Sequence, residues 1–193
     1  MNAASPGELL RMAMQSARSV LLTGPMFPDG DSIGACLALA RAIEHLSSAR
    51  VDVAGAIPLR YAWMPGADSI LADEAVAADY DLVVVLDGDC RRLPPPVEAA
   101  FHAATMRGII DHHSSTGPED YDIALIDASA ASTCEMVYEL LIRWGIAVDV
   151  DLSKRGRGID GDLSTAAVPV RDGAAVNGNP MLSEATGDRD GTR

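Results

Sequence analysis

The chain has 193 residues, 48% of them apolar and only 4% aromatic, with a formal net charge of −13. That length allows one domain with a core built from Ala, Val, Leu and Ile, or one domain plus a tail. The acidity excludes charge-driven wrapping of duplex nucleic acid, which needs a basic face; it does not exclude a phosphate substrate whose charge is offset by bound cations. Cys36, Cys90 and Cys134 are far apart, without C-x-x-C spacing. This pattern implies reduced core thiols in a cytoplasmic protein. No apolar run reaches the length of a membrane span, and the opening "MNAASPGELL" is not expected to be a signal peptide.

Residues 6–18, "PGELLRMAMQSAR", are expected to form a helix, with Pro6 near its start and Leu9, Leu10, Ala13 and Ala17 on one face. "SVLLTG" (19–24) reads as a buried strand, "PMFPDGD" as a loop and "SIGACLALARAIEHLSS" (32–48) as an apolar helix. "VDVAGA" (51–56) is a second strand. Residues 57–80 are weakly patterned, with a short helix expected around 69–77. "DLVVVLD" (81–87) is a continuous apolar run ending in an acid, the mark of a strand buried on both faces. A helix at 94–104, strands at 107–111 and 122–127, and a helix at 129–145 complete the pattern. In the last helix Ser132 and Glu135 fit a capping box and Gly145 a stop. Alternating strands and helices predict an α/β fold, a mainly parallel sheet with helices on both faces. The predicted domain covers residues 1–154. Residues 155–193 carry seven of the 17 glycines and no aromatic residue. This stretch reads as a poorly structured tail.

Three acidic clusters stand at strand ends, where parallel α/β sheets bind ligands. Asp29 and Asp31 follow the first strand, Asp87 closes the third, and Asp111, His112 and His113 close the fourth. Taken singly, "PDGD" is also a turn with a helix N-cap, "DGD" a turn, and a histidine pair a solvent-facing feature. Together, carboxylates crowded on one edge repel one another and need a cation. Carboxylate with imidazole suits Mn²⁺, Mg²⁺, Zn²⁺ or Fe²⁺, and the absence of a nearby thiol favours Mn²⁺. The number of ligands fits two ions about 3.5–4 Å apart that activate water for attack at phosphorus. One histidine would hold metal, its neighbour would reach the phosphate, and Asp111 would fix an imidazole tautomer. Arg91 and Arg92 are candidate substrate-binding groups or a solvated turn. Ser132 and Thr133 read as helix caps rather than catalysts.

"FPDGDSIGACLAL" (27–39), "DLVVVLDGD" (81–89) and "IIDHHSS" (110–115) resemble, in that order, the motifs of the DHH phosphoesterase family. "IDASAASTCEMVYELL" (126–141) is similar to the segment that follows the third motif in the oligoribonuclease and 3′-phosphoadenosine-5′-phosphate phosphatase subgroup. The resemblance spans residues 5–152 and implies a two-domain, manganese-dependent phosphohydrolase of short oligonucleotides, bisphosphorylated nucleosides, cyclic dinucleotides or single-stranded DNA, of which small nucleotides or short oligonucleotides are the expected substrates here; the sequence leaves the oligomeric state open, a homodimer being one candidate. It implies Asp29, Asp31, Asp87 and His112 as metal ligands, Asp87 bridging, and His113 on the scissile phosphate. Three positions depart from the family pattern. Pro25 stands where the family usually has a histidine ligand. The fourth motif is matched only by "GIDGDLST" (158–165), where Asp160 or Asp162 would stand in. The chain also stops before the family's C-terminal domain, so a truncated or frame-altered chain is expected. The competing reading is a catalytically incompetent remnant or a non-enzymatic nucleotide- or metal-binding module. A third is a receiver-like domain that uses Asp29, Asp31 and Asp87 for one Mg²⁺ and leaves the histidine pair unexplained.

Overall fold

The structure is a computed structural model that describes residues 3–148. Its elements follow the predicted order. Helix α1 spans Pro6–Ser16, β1 Ser19–Thr23, α2 Gly30–Leu46 and β2 Arg50–Ala54. Then come β3 Leu82–Leu86, α3 Pro95–Ala103, β4 Met106–Asp111, β5 Ile123–Ile126 and α4 Thr133–Arg143. The short helix expected around 69–77 is absent. Single 3₁₀ turns stand at Leu59–Tyr61, Ala67–Ser69 and Asp73–Ala75. Between the last two, Leu71 is drawn out into an extended bridge. Its N–H donates to Val53 O at 2.8 Å and its carbonyl accepts from Gly55 N at 3.1 Å. A helix there would forfeit this extension of the β2 edge.

The five strands form one parallel sheet in the order β2-β1-β3-β4-β5, so the expected α/β architecture is the one observed. β1 lies between β2 and β3, in register Val20↔Val51 on one side and Val20↔Leu82 on the other. The chain leaves β1 for one edge and returns through β3 to build the other. The loops after β1 and β3 therefore part company at a topological switch point, the place where open α/β sheets form a ligand crevice.

Side chains alternate across the pleat. Val20, Leu22, Val84, Leu86 and Ile110 face a core filled by Leu10 and Met14 of α1, Leu39 and Ile43 of α2, and Val137 and Leu141 of α4. Leu21, Val83 and Val85 face the other way, onto Val97, Ala100 and Phe101 of α3. The connection from β4 to β5 carries no helix; Tyr121 in it packs on the α3 side, its ring 5.7 Å from that of Phe101. No described helix is long and apolar enough to cross a membrane.

Phe101 is the largest fully buried side chain of the α3-side core. Phe101→Ala should lower unfolding free energy by about 3–5 kcal/mol, read as a fall in the urea midpoint with an unchanged slope. A loss under 1 kcal/mol would show that the α3 layer is not part of the cooperative core.

Candidate metal centre

Asp87 is the first residue beyond β3. Its N–H donates to Ile110 O at 3.1 Å, extending the β3–β4 ladder by one residue. Its φ is 63°, the only left-handed value of a non-glycine residue among those described. Aspartate tolerates this region better than most residues, yet it carries a cost of about 1–3 kcal/mol and is often kept where a side chain must be aimed. The side chain is almost wholly buried, at 6% exposure.

The loop after β1 is fastened to the segment that follows. The Pro25 ring lies against Gly88, so that a Cβ on Gly88 would stand 3.2 Å from Pro25 Cδ and Cγ. Met26 N–H donates to Arg92 O at 2.8 Å. The same loop leads into α2, where Asp29 is the N-cap, its Oδ1 accepting from Asp31 N at 2.8 Å and Ser32 N at 3.2 Å. Ser32, buried, donates its hydroxyl to Leu86 O at 3.3 Å and ties the first turn of α2 to the end of β3.

Asp31 reaches across to α4. Its Oδ2 accepts from Thr133 N at 2.7 Å and its Oδ1 from Cys134 N at 2.8 Å. A carboxylate on free amides at a helix N-terminus is favoured by both the unpaired donors and the helix dipole. Thr133, fully buried, also donates its hydroxyl to Asp87 Oδ1 at 3.1 Å. From sequence alone Thr133 reads as a helix cap. The cap is Ser132, whose Oγ accepts from Glu135 N at 3.1 Å, and Thr133 faces the acids.

The histidine pair completes the cluster. His112 Nε2 lies 3.6 Å from Asp87 Oδ1 and 4.0 Å from Asp31 Oδ2. His113 Nδ1 lies 2.7 Å from Asp111 Oδ1 and 3.9 Å from Asp87 Oδ1. Asp111 is fully buried and also accepts from the Thr116 hydroxyl. It thus anchors the His113 ring through Nδ1 and leaves Nε2 for another partner. Among the described residues, Asp87, His112 and His113 each offer one ligand atom, all within 4.8 Å of one another, and so could hold a metal ion.

The charges show what this arrangement lacks. Burial, and then the charges of Asp31 and Asp29, push the Asp87 carboxyl up to about 6; the Thr133 hydroxyl and His113 pull it back. Burial also works to raise Asp31, but hydrogen bonds from Cys134 and Thr133 outweigh it and hold the carboxyl below its usual value. The bond to Asp111 raises His113, against burial. Burial and then Asp31 push the Cys134 thiol up to about 12. It donates to Asp31 O at 3.3 Å, so a thiol does stand beside the acids, where the sequence leads one to expect none.

The structure therefore brings Asp31, Asp87, His112, His113 and Asp111 together, with Asp29 within electrostatic reach of Asp87. It separates the two arginines. Arg91 is tied to Asp89 by bonds of 2.7 and 2.6 Å. Arg92 makes no ion pair among the described residues, and its charge is felt by His113. Asp160 and Asp162, and the expected boundary at residue 154, lie outside the described residues.

Residues 19–163 match the DHH family, N-terminal domain, and the chain belongs to that family. An exopolyphosphatase-related protein from Bacteroides fragilis has a similar structure, with a TM-score of 0.65 and 24% identity over 72% of this chain and 44% of that one. The likeness shows a shared fold, and this chain spans less than half the length of that protein.

An Asp87 carboxyl that titrates near 6, above its unfolded value, contributes stability below about pH 4 that is lost as pH rises through 6. Metal-free Asp87→Asn should therefore melt higher than the wild type at pH 7.5. A divalent ion should raise the Tm of the wild type and leave that of the variant unchanged. Because the ion must displace this proton, Mn²⁺ affinity should fall about tenfold per pH unit below 6. A calorimetric titration showing equal affinity at pH 5 and pH 7.5 would contradict the assignment.

Proposed function

We propose that the chain is the catalytic domain of a metal-dependent phosphoesterase that hydrolyses phosphate esters of small nucleotides or short oligonucleotides, with Mn²⁺ as its ion. The carrying observation is Asp87. It is a buried carboxylate in left-handed backbone, within 4 Å of both histidines and repelled by two further aspartates. A buried, repelled carboxylate is relieved by a proton or by a cation, and the two imidazoles beside this one suit a cation.

The donors fit such an ion. Asp87 and His112 would hold it, and Asp29 and Asp31 would supply oxygens for a second. When bound, divalent ions activate a water and offset charge on the entering and leaving oxygens of an in-line displacement. The rest is done by the chain's own groups. His113, charged more readily because of Asp111, donates Nε2–H to a non-bridging phosphate oxygen. Arg92 supplies a free cation on the same side, whereas Arg91 is committed to Asp89. The N-terminus of α4 holds Asp31 in place, and Thr133 holds Asp87.

One observation favours a second reading, a nucleotide- or metal-binding module without turnover. Pro25, which cannot coordinate, lies on Gly88 beside Asp87, so the rim near that carboxylate carries a ring where a ligand would strengthen metal binding.

Turnover separates the two. With Mn²⁺ the full chain should hydrolyse a dinucleotide. His112→Ala should abolish the reaction, and His113→Ala should lower kcat by about 10²–10³-fold. Undiminished activity in His112→Ala would remove the metal assignment. Mn²⁺ binding without turnover would establish the second reading.

A further inference from the structure

Only 4% of the chain is aromatic, yet two aromatic side chains border the start of α2: Phe27, two residues before its cap, and the half-buried Tyr61. Phe27, two residues before the capping Asp29, is 81% exposed, and Trp63 is 75% exposed. Phe27 does not owe its exposure to a loose loop. Met26 is bonded to Arg92 on one side, and the Asp29 cap fixes the other. Tyr61 leans on the helix start between the two acids, its Cε1 3.1 Å from where a Gly30 Cβ would stand. The Arg60 guanidinium lies 4.7 Å from the Tyr61 ring centroid and makes no ion pair among the described residues.

A flat π surface with an adjoining cation matches the face of a nucleobase. Bases stack on phenyl and phenol rings and on guanidinium planes with little regard to sequence. Inorganic polyphosphate has no such face. A protein partner seated on this patch would also close off the acids that border it, whereas a nucleotide would fill the patch and reach them with its phosphate.

We propose that Phe27 and the Arg60–Tyr61 pair form a nucleobase-stacking platform flanking the acid cluster, so that the site selects phosphate esters bearing a base over base-free phosphate chains. The proposal rests on the phosphoesterase reading for the position of the phosphate, but base binding itself does not need turnover.

The test uses the full chain in Mn²⁺. Trp63 stands exposed in the same segment while Trp144 is partly buried, so tryptophan quenching by 5′-AMP reports binding without catalysis. Phe27→Ala should raise the Kd for 5′-AMP about five- to 150-fold, the range of one lost base stack. Phe27→Tyr should keep it near wild type. Inorganic tripolyphosphate, measured by calorimetry, should bind wild type and Phe27→Ala alike. In hydrolysis, Phe27→Ala should lower the selectivity for a dinucleotide over tripolyphosphate by a similar factor.

An unchanged Kd for 5′-AMP in Phe27→Ala would overturn the platform. So would a concentration-dependent dimer that Phe27→Ala dissociates, since the patch would then serve a second copy of the chain. Failure to hydrolyse any of these substrates would remove the phosphoesterase reading instead, and the quenching result would still decide the platform.

Discussion

Like charges are brought together here on a scaffold that cannot let them separate. Asp31 and Asp87 hang from different elements, yet His112 lies within 4 Å of both, and Asp29 is close enough for its charge to act on Asp87. The parallel register of β1, β3 and β4 sets this meeting: Val84 pairs with Leu22 and with Gly108, so the strand ends stand level. A flexible chain would let the carboxylates drift apart into water. This one fixes them and offsets the repulsion with helix amides, a threonine hydroxyl and two imidazoles.

The offset is incomplete at Asp87, and that incompleteness is the basis of the functional reading. Asp29 and Asp31 each accept two backbone amides at helix N-termini, where a full negative charge is well served. Asp87 has one threonine hydroxyl, and burial works against its charge. The carboxylate least able to stay ionised is also the one that lies within 4 Å of both histidines. A divalent ion would settle all of these groups together. The positioning residues around them (Ser32, Thr133 and Thr116) set where the ligands point and take no part in chemistry themselves.

Much of the scaffold was legible because its strands are short apolar runs between breakers. "DLVVVLD" can hardly be anything but a buried strand, and its terminal acid marks the rim. The 57–80 segment was not legible, since its long-range ties, such as Leu71 on the edge of β2 and Tyr80 on Asp52, leave no periodic trace. The start of α4 was placed too early. Asp127 folds "DAS" into a side-chain-capped turn, with Ser129 N at 2.9 Å from Oδ1, and the helix begins only after Ser132. In "DGD" ordinary turn chemistry gives the unusual backbone to glycine. The structure gives it to Asp87 and keeps Gly88 small for Pro25. The acids and histidines were readable as a group because three strand ends carry them. The grip of Asp31 on Thr133 and Cys134, about a hundred residues away, could be seen only once the chain was folded.

The most direct test is to place the ion itself. Crystals of the full chain grown with Mn²⁺ and measured at the manganese absorption edge should show anomalous density between Asp87 Oδ1 and His112 Nε2, at about 2.0–2.3 Å from each ligand atom. Density held by other residues, with Asp87 and His112 still 3.6 Å apart and nothing between them, would contradict the account.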